Sequence, residues 1–273
     1  MPELPEVETV CRTLSPLIQG RSIIRVDVFE RRLRIPIDKK FAARLNGRSL
    51  LGIERKGKFI LIRLDGGSIW IVHLGMSGRL IYLREKRARD KHDHIVVCLE
   101  NGDQIRYHDP RRFGLSIVMP EEELGLWRPL RSLGVDPFDS GFNANYLFSA
   151  MRKSKRRIRD FLIDPGVVAG LGNIYANEIL FQVGLRPTRR AWKVSHQIAE
   201  GISKVTPRLL EEAIRWRGTS FSDYRDGEDR EGEFQSHLMV YNRDGEDCIV
   251  CSSRIKKVRI GNRGAFYCPR CQK

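Results

Sequence analysis

The chain has 273 residues, 41% of them hydrophobic and 30% charged, a globular composition with room for two or three domains. No apolar run approaches ~18 residues, and the acidic start Met1-Pro2-Glu3-Leu4-Pro5-Glu6 has no apolar signal core. A membrane span and a secretory signal are therefore not expected, and the expected location is the cytoplasm, with the nucleoid. Forty-nine Lys and Arg against 34 Asp and Glu leave a net charge of +15, which points to a polyanionic partner, nucleic acid above all.

In chain order, Leu4, Val7, Val10, Cys11, Leu14 and Leu17 recur at helical spacing, and Gly20 fits a stop. From residue 21 the period changes. Short strand-like runs follow at Ser22–Phe29, Phe59–Leu64, Ser68–His73, Arg79–Leu83, Ile95–Leu99, Gln104–Tyr107 and Gly114–Val118. Asp65-Gly66-Gly67 and Asn101-Gly102-Asp103 supply turns between them. Many short strands at close spacing predict a β-sandwich or barrel. Residues 120–145 are rich in turn formers and read as a linker.

Helical patterns occupy Asn145–Arg152, Arg156–Ile163, Ile174–Val183, Ser195–Val205 and Pro207–Arg217. Six basic residues crowd 151–160 against one acid, Asp160. The stretch 218–236 is polar and acidic and reads as a long mobile loop, with Asp223, Asp226, Glu228, Asp229, Glu231 and Glu233. The tail 248–273 carries seven basic residues and no acid. Two basic runs near motifs suit a phosphate track. The resulting segments are 1–130, a linker 131–150, 151–236 and 237–273.

Cys11 and Cys98 lie alone in apolar patterns and read as buried thiols. Cys248, Cys251, Cys268 and Cys271 form C-x2-C-x16-C-x2-C, the spacing of a four-thiolate zinc site. Four thiolates leave no open position, so one structural zinc is expected, setting a basic hairpin in place.

Two other features carry chemistry. Gly170-Leu171-Gly172-Asn173 opens into a helix whose free N–H groups suit a phosphate, although such a turn also serves as a plain helix connection. Met1-Pro2 permits loss of Met1, which would leave Pro2 with a secondary amine of pKa near ~8. Such an amine attacks carbon and yields an iminium, a built-in electron sink. Glu3 and Glu6 stand ready as acid or base.

At these residues a resemblance becomes plain. Pro2-Glu3-Leu4-Pro5-Glu6-Val7-Glu8-Thr9 is similar to the start of the bacterial formamidopyrimidine-DNA glycosylases. His73-Leu74-Gly75-Met76-Ser77-Gly78, Lys91-His92-Asp93-His94, Asp109-Pro110-Arg111-Arg112-Phe113-Gly114, Gly170–Glu178 and the cysteine tail resemble that family in its order, over essentially the whole chain. The resemblance implies an α+β multidomain fold. Its parts are an N-terminal helix with a β-sandwich, a helix–two-turn–helix domain and a C-terminal β-hairpin zinc finger, with DNA in the cleft between. It implies excision of 8-oxoguanine and formamidopyrimidines from duplex DNA, then β,δ-elimination at the abasic site, by a monomer.

The resemblance also implies residue roles. Pro2 matches the amine nucleophile, Glu3 the general acid and Glu6 a supporting carboxylate. Lys58, rather than nearby Lys56, matches a lysine near the lesion phosphate. Arg263 matches an arginine gripping the flanking phosphates, and Asn173 a phosphate ligand. His73 matches a further phosphate contact, with a packed histidine as the alternative. Met76, Arg111 and Phe113 match residues that fill the hole left by an extruded base, Arg111 also reading the orphaned cytosine. On residue type alone, Met76 and Phe113 read more readily as ordinary core residues. His92, Lys153, Lys155 and Tyr241 fall in regions that contact DNA in the family.

The sequence departs from the family at Asn242 in Val240-Tyr241-Asn242-Arg243 and at Ser252-Ser253, where glycines are usual. The acidity of 218–236 puts lesion preference in doubt. Two rivals stay open. One is an endonuclease VIII-like glycosylase for oxidised pyrimidines. The other is a non-catalytic damaged-DNA-binding zinc-finger protein, which would need no free Pro2 amine.

Overall fold

The computed structural model describes residues 1–84 and 87–273. They form two compact units: Met1–Arg131 with Ile214–Gln235, and Ser132–Ala213 with Ser236–Lys273.

The first unit opens with α1 (Leu4–Ile18). Glu3 caps it reciprocally: its side chain accepts the Glu6 N–H, and the Glu6 carboxylate accepts the Glu3 N–H at 2.7 Å. Pro5 sits in the first turn, where no helical N–H partner is missing. Leu4, Val7, Val10, Cys11, Leu14 and Ile18 are buried along one stripe of the helix.

The chain continues through β1 (Ile23–Val28), the short α2 (Phe41–Leu45), β2 (Leu50–Lys56), β3 (Phe59–Leu64), β4 (Ser68–His73), β5 (Arg79–Leu83), β6 (Asp93–Leu99), β7 (Gln104–His108) and β8 (Leu115–Pro120). Among the described residues these strands make two four-stranded sheets, in the orders β1-β6-β7-β5 and β2-β3-β4-β8, every neighbouring pair antiparallel. Ile62, Trp70 and Val72 from one sheet join Leu80, Ile95, Val97 and Ile105 from the other in one buried cluster with α1. Each such fully buried side chain stabilises the unit by about 1.5–3 kcal/mol. The sandwich expected from the strand spacing is present. Its sequence pattern hides β2, an edge strand whose Glu54, Arg55 and Lys56 keep the edge charged. It also hides α2, too short to show a period, which anchors Phe41 edge-on to Trp70 at 6.3 Å.

The segment read as a linker is partly helical, with α3 (Arg128–Arg131) and the start of α4 (Ala144–Arg152) inside it. The second unit then builds α5 (Ile158–Leu162), α6 (Asn173–Gln182), α7 (His196–Arg215) and the hairpin β9 (Lys256–Ile260) to β10 (Arg263–Tyr267). One expectation is corrected at Pro207, which lies inside α7 rather than breaking it. The buried stripe Ala199, Ile202, Leu209, Leu210 and Ala213 runs across the proline, and this packing offsets the missing N–H.

A second correction concerns residues 218–236. They form a loop as expected over most of their length, but contacts within the first unit pack residues 218–235 against the sandwich rather than leaving them solvated. Tyr224 belongs to the sandwich core, and the Gly227 carbonyl accepts the Tyr82 N–H at 2.7 Å. Several of the acids are paired. Asp226 is fully buried against Arg217, Asp229 lies 3.5 Å from Arg87 and 3.9 Å from Arg79, and Glu231 lies 2.6 Å from Arg225.

Candidate active site and nucleic-acid interface

In the first unit the N-terminus is buried: Pro2 is enclosed, and Glu3 and Glu6 are 3% and 1% exposed. Met1, by contrast, is exposed. The Glu6 carboxylate has two tasks. Oε2 takes the Glu3 N–H, and Oε1 takes the Thr219 N–H at 2.8 Å. The Tyr224 hydroxyl donates to the Glu6 carbonyl at 3.2 Å. Gly218 is required beside this contact. Its φ of +80 lies in the left-handed region, and a Cβ there would lie 2.8 Å from Glu6 Oε1.

Lys58 sits half-buried at the turn from β2 to β3, whereas Lys56 is exposed. His73, at the end of β4, packs on Phe59 with ring centroids 4.9 Å apart. Its Nδ1 accepts the Gly75 N–H at 3.0 Å. Burial, followed by the charges of Lys58 and Arg34, pulls the imidazole down to about 4. The ring is thus neutral at pH 7 with its proton on Nε2, a donor suited to a phosphate oxygen. His92 is half-buried, edge-on to His94 and His108.

Met76 and Phe113 are 40% and 47% exposed and Arg111 is exposed as well, which excludes the core reading of the two apolar side chains. The Arg111 guanidinium lies over the Phe113 ring, 4.8 Å from its centroid. An exposed methionine, with a phenylalanine and the guanidinium over it, offers side chains able to enter a base stack.

In the second unit, Lys153 and Lys155 are exposed and line a basic hollow with Arg156 and Arg190. Asn173 is the first residue of α6. Its Oδ1 accepts from Arg159 at 3.1 Å, and its Nδ2 donates to the Gly264 carbonyl at 2.9 Å, next to Arg263. Arg159 is buried and also donates to the Ile260 carbonyl at 2.7 Å, so both ends of the hairpin turn are tied to the helices. Arg263 is exposed at the start of β10, beside that turn.

Glu178, also in α6, is completely buried. Its carboxylate accepts the N–H groups of Met239, Val240 and Tyr241 at 2.8, 3.0 and 2.8 Å. Burial raises its pKa against the lowering pull of those three donors. Tyr241 is held by this contact, and its ring packs on Phe266 at 5.1 Å. In the sequence Glu178 is visible only as part of a motif, because its role depends on residues about sixty positions away.

The four cysteine sulfurs all lie within 4.8 Å of one another, with Cys248–Cys271 at 3.9 Å and Cys251–Cys268 at 3.4 Å. Sulfurs bound at ~2.3 Å around one tetrahedral ion stand about 3.8 Å apart, so the cluster fits a structural zinc site. Among the described residues all six cysteines are free of disulfides, and Cys11 and Cys98 are buried.

Comparison with known proteins bears directly on this arrangement. Residues 1–116 match the formamidopyrimidine-DNA glycosylase N-terminal domain, 133–225 the H2TH domain of the same family, and 245–273 the zinc finger found in FPG and IleRS. The formamidopyrimidine-DNA glycosylase of Hahella chejuensis is 39% identical over 275 residues, with 100% of both chains covered. A mutant Lactococcus lactis FPG in complex with a Fapy-dG containing DNA superposes with a TM-score of 0.93 at 30% identity over 100% of both chains. The Lactococcus lactis Fpg complex with an abasic site containing DNA gives 0.92 at 29% identity over 99% of both.

Proposed function

The chain belongs to the formamidopyrimidine-DNA glycosylase family, and from that premise we propose that it excises oxidised purines from duplex DNA and cleaves the strand at the resulting abasic site. The observation that carries this reading is the enclosed Pro2-Glu3 terminus held by the Glu6 carboxylate. Once Met1 is removed, the Pro2 amine attacks C1′ and the base departs. Glu3 protonates the sugar ring oxygen as the ring opens, leaving an iminium between Pro2 and C1′. The iminium acidifies the neighbouring carbon. Loss of the 3′ phosphate and then the 5′ phosphate leaves a one-nucleotide gap.

The remaining residues bind and position. His73, Lys58, Asn173, Arg263, Lys153 and Lys155 serve the phosphates, and His92 and Tyr241 lie along the DNA-binding surface. Met76, Arg111 and Phe113 occupy the space of the extruded base, Arg111 donating to the orphaned cytosine. Cys248, Cys251, Cys268 and Cys271 hold one zinc, which stabilises the finger and enters no chemical step. Among the described residues no helix is long and apolar enough to cross a membrane. We place the chain, as a monomer, on the nucleoid in the cytoplasm, where its basic charge meets DNA. Functionally it divides as 1–130, 131–150, 151–236 and 237–273.

Borohydride trapping tests the proposal, on a duplex with one 8-oxoguanine opposite C. Undamaged duplex and a Pro2→Gly variant run beside it. The expected adduct requires the lesion and maps to the N-terminal peptide. Tight binding without an adduct would reduce the chain to a damage-binding protein. An adduct only with an oxidised pyrimidine would move it to the pyrimidine branch.

A further inference from the structure

Met76 lies in the turn after β4, and Arg111 and Phe113 lie in the loop between β7 and β8. Two separate segments therefore present the three side chains, and something must hold them in register. The centre of that register is Asp109, whose carboxylate is fully buried. Its Oδ1 accepts the Ser77 hydroxyl at 2.7 Å. Its Oδ2 accepts the Gly114 N–H at 2.9 Å and the Tyr107 hydroxyl at 3.2 Å. The Ser77 oxygen in turn accepts the Arg111 N–H at 3.3 Å. The Asp109 main chain is held too, its carbonyl taking a bond from His94 Nε2 at 2.8 Å.

The two segments also touch at backbone level. A Cβ on Gly75 would lie 2.5 Å from the Phe113 carbonyl carbon and 2.6 Å from the Gly114 nitrogen. The turn carrying Met76 and the loop carrying Arg111 and Phe113 are thus joined by one relay, from Arg111 N–H through Ser77 to Asp109. Buried polar relays of this kind favour one arrangement because moving Ser77 or Asp109 would leave buried groups unpaired.

We propose that Asp109, acting through Ser77, is a positioning residue that holds Met76, Arg111 and Phe113 as one rigid wedge and so sets discrimination of the base opposite the lesion. The inference rests on the role given above to Arg111. Asp109 touches neither DNA nor the reacting atoms in this assignment; it fixes where the guanidinium stands relative to the orphaned base.

The test compares Ser77→Ala, Asp109→Asn and Arg111→Ala on duplexes carrying 8-oxoguanine opposite C or opposite A. Single-turnover excision gives a C-to-A rate ratio for each protein, and thermal melting reports the fold. Ser77→Ala removes one oxygen, so it decides the question if Asp109→Asn fails to fold. The expected result is a ratio lowered roughly five- to tenfold in Ser77→Ala and Asp109→Asn, toward the value of Arg111→Ala. A purely structural defect would slow both duplexes equally and would overturn the positioning role. The role is overturned as well if Arg111→Ala lowers the ratio and neither other variant does. If Arg111→Ala itself leaves the ratio unchanged, the reading of Arg111 falls and the inference falls with it.

Discussion

Glu6 joins the N-terminal turn to Thr219: one carboxylate oxygen holds the Glu3 N–H at 2.7 Å and the other holds the Thr219 N–H at 2.8 Å. Thr219 stands more than two hundred positions further along the chain. The side chain therefore sets the entry of α1, on which Pro2 sits, together with the segment that begins at Gly218. A glutamine cannot serve both donors, because its NH2 group would face one N–H. Glu6→Gln is expected to fold with a loss of about 1–3 kcal/mol. Borohydride trapping should slow roughly a hundredfold, the scale of a misplaced reacting group. Trapping at the wild-type rate would show that Glu6 does not position the nucleophile.

His73 gives a pH signature with a definite sign. Its pKa falls from 6.5 to about 4 on folding, mainly through burial. The unfolded chain binds a proton there that the folded chain refuses. The contribution to stability is therefore fully present above pH 6.5 and is lost as pH falls toward about 4. The loss approaches about 1.4 kcal/mol per pH unit inside that window. His73→Asn keeps an acceptor for the Gly75 N–H and does not titrate. The difference in unfolding free energy between wild type and His73→Asn should drift with pH between 6.5 and 4 and be flat above. A flat difference throughout would mean that the ring is solvated.

Much of the site is legible in the sequence because its chemistry resides in residue type and spacing. The paired Cys-x-x-Cys turns announce themselves without a fold, whereas Pro2-Glu3 and the Met76, Arg111 and Phe113 motifs become legible through their resemblance to the family's motifs. What escapes is whatever depends on register. Asp109 gains its meaning from Ser77, thirty-two residues earlier, and from Tyr107 and Gly114 on either side. Glu178 looks like any helical carboxylate until Met239, Val240 and Tyr241 turn their N–H groups to it. The acids of 218–236 look solvated in the sequence because several of their partners, Arg79, Arg87 and Arg217, come from outside the stretch.

The two departures from the family's glycines have a backbone consequence. Asn242 has φ 60 and Ser252 has φ 58, both in the left-handed region. Asparagine tolerates that region better than most residues, and for serine it costs more. Ser252→Gly should therefore stabilise the finger by up to about 1 kcal/mol, the relief being partly offset by glycine's greater freedom when unfolded. Asn242→Gly should gain less. Thermal melting of the zinc-loaded protein checks both, and a destabilised Ser252→Gly would show that the serine side chain has a task of its own.

The finger supplies the last prediction. Cys248 and Cys268 are buried in one cluster with Phe181, Val240, Ile255 and Phe266, so the sulfurs are part of the small core they support. Without the metal, four thiols converge in that core with little else to hold them, and small domains of this kind lose their fold. Cys268→Ser should abolish stoichiometric zinc and loosen the hairpin that carries Arg263. DNA affinity should fall by roughly tenfold or more, as expected when phosphate contacts are lost. The sandwich has its own core around Trp70, Val72 and Ile95 and should keep its melting transition. Metal analysis, DNA titration and calorimetry on the same sample separate these effects. Full DNA affinity in a metal-free Cys268→Ser protein would show that the bonds from Arg159 and Asn173 to the hairpin hold it without the metal.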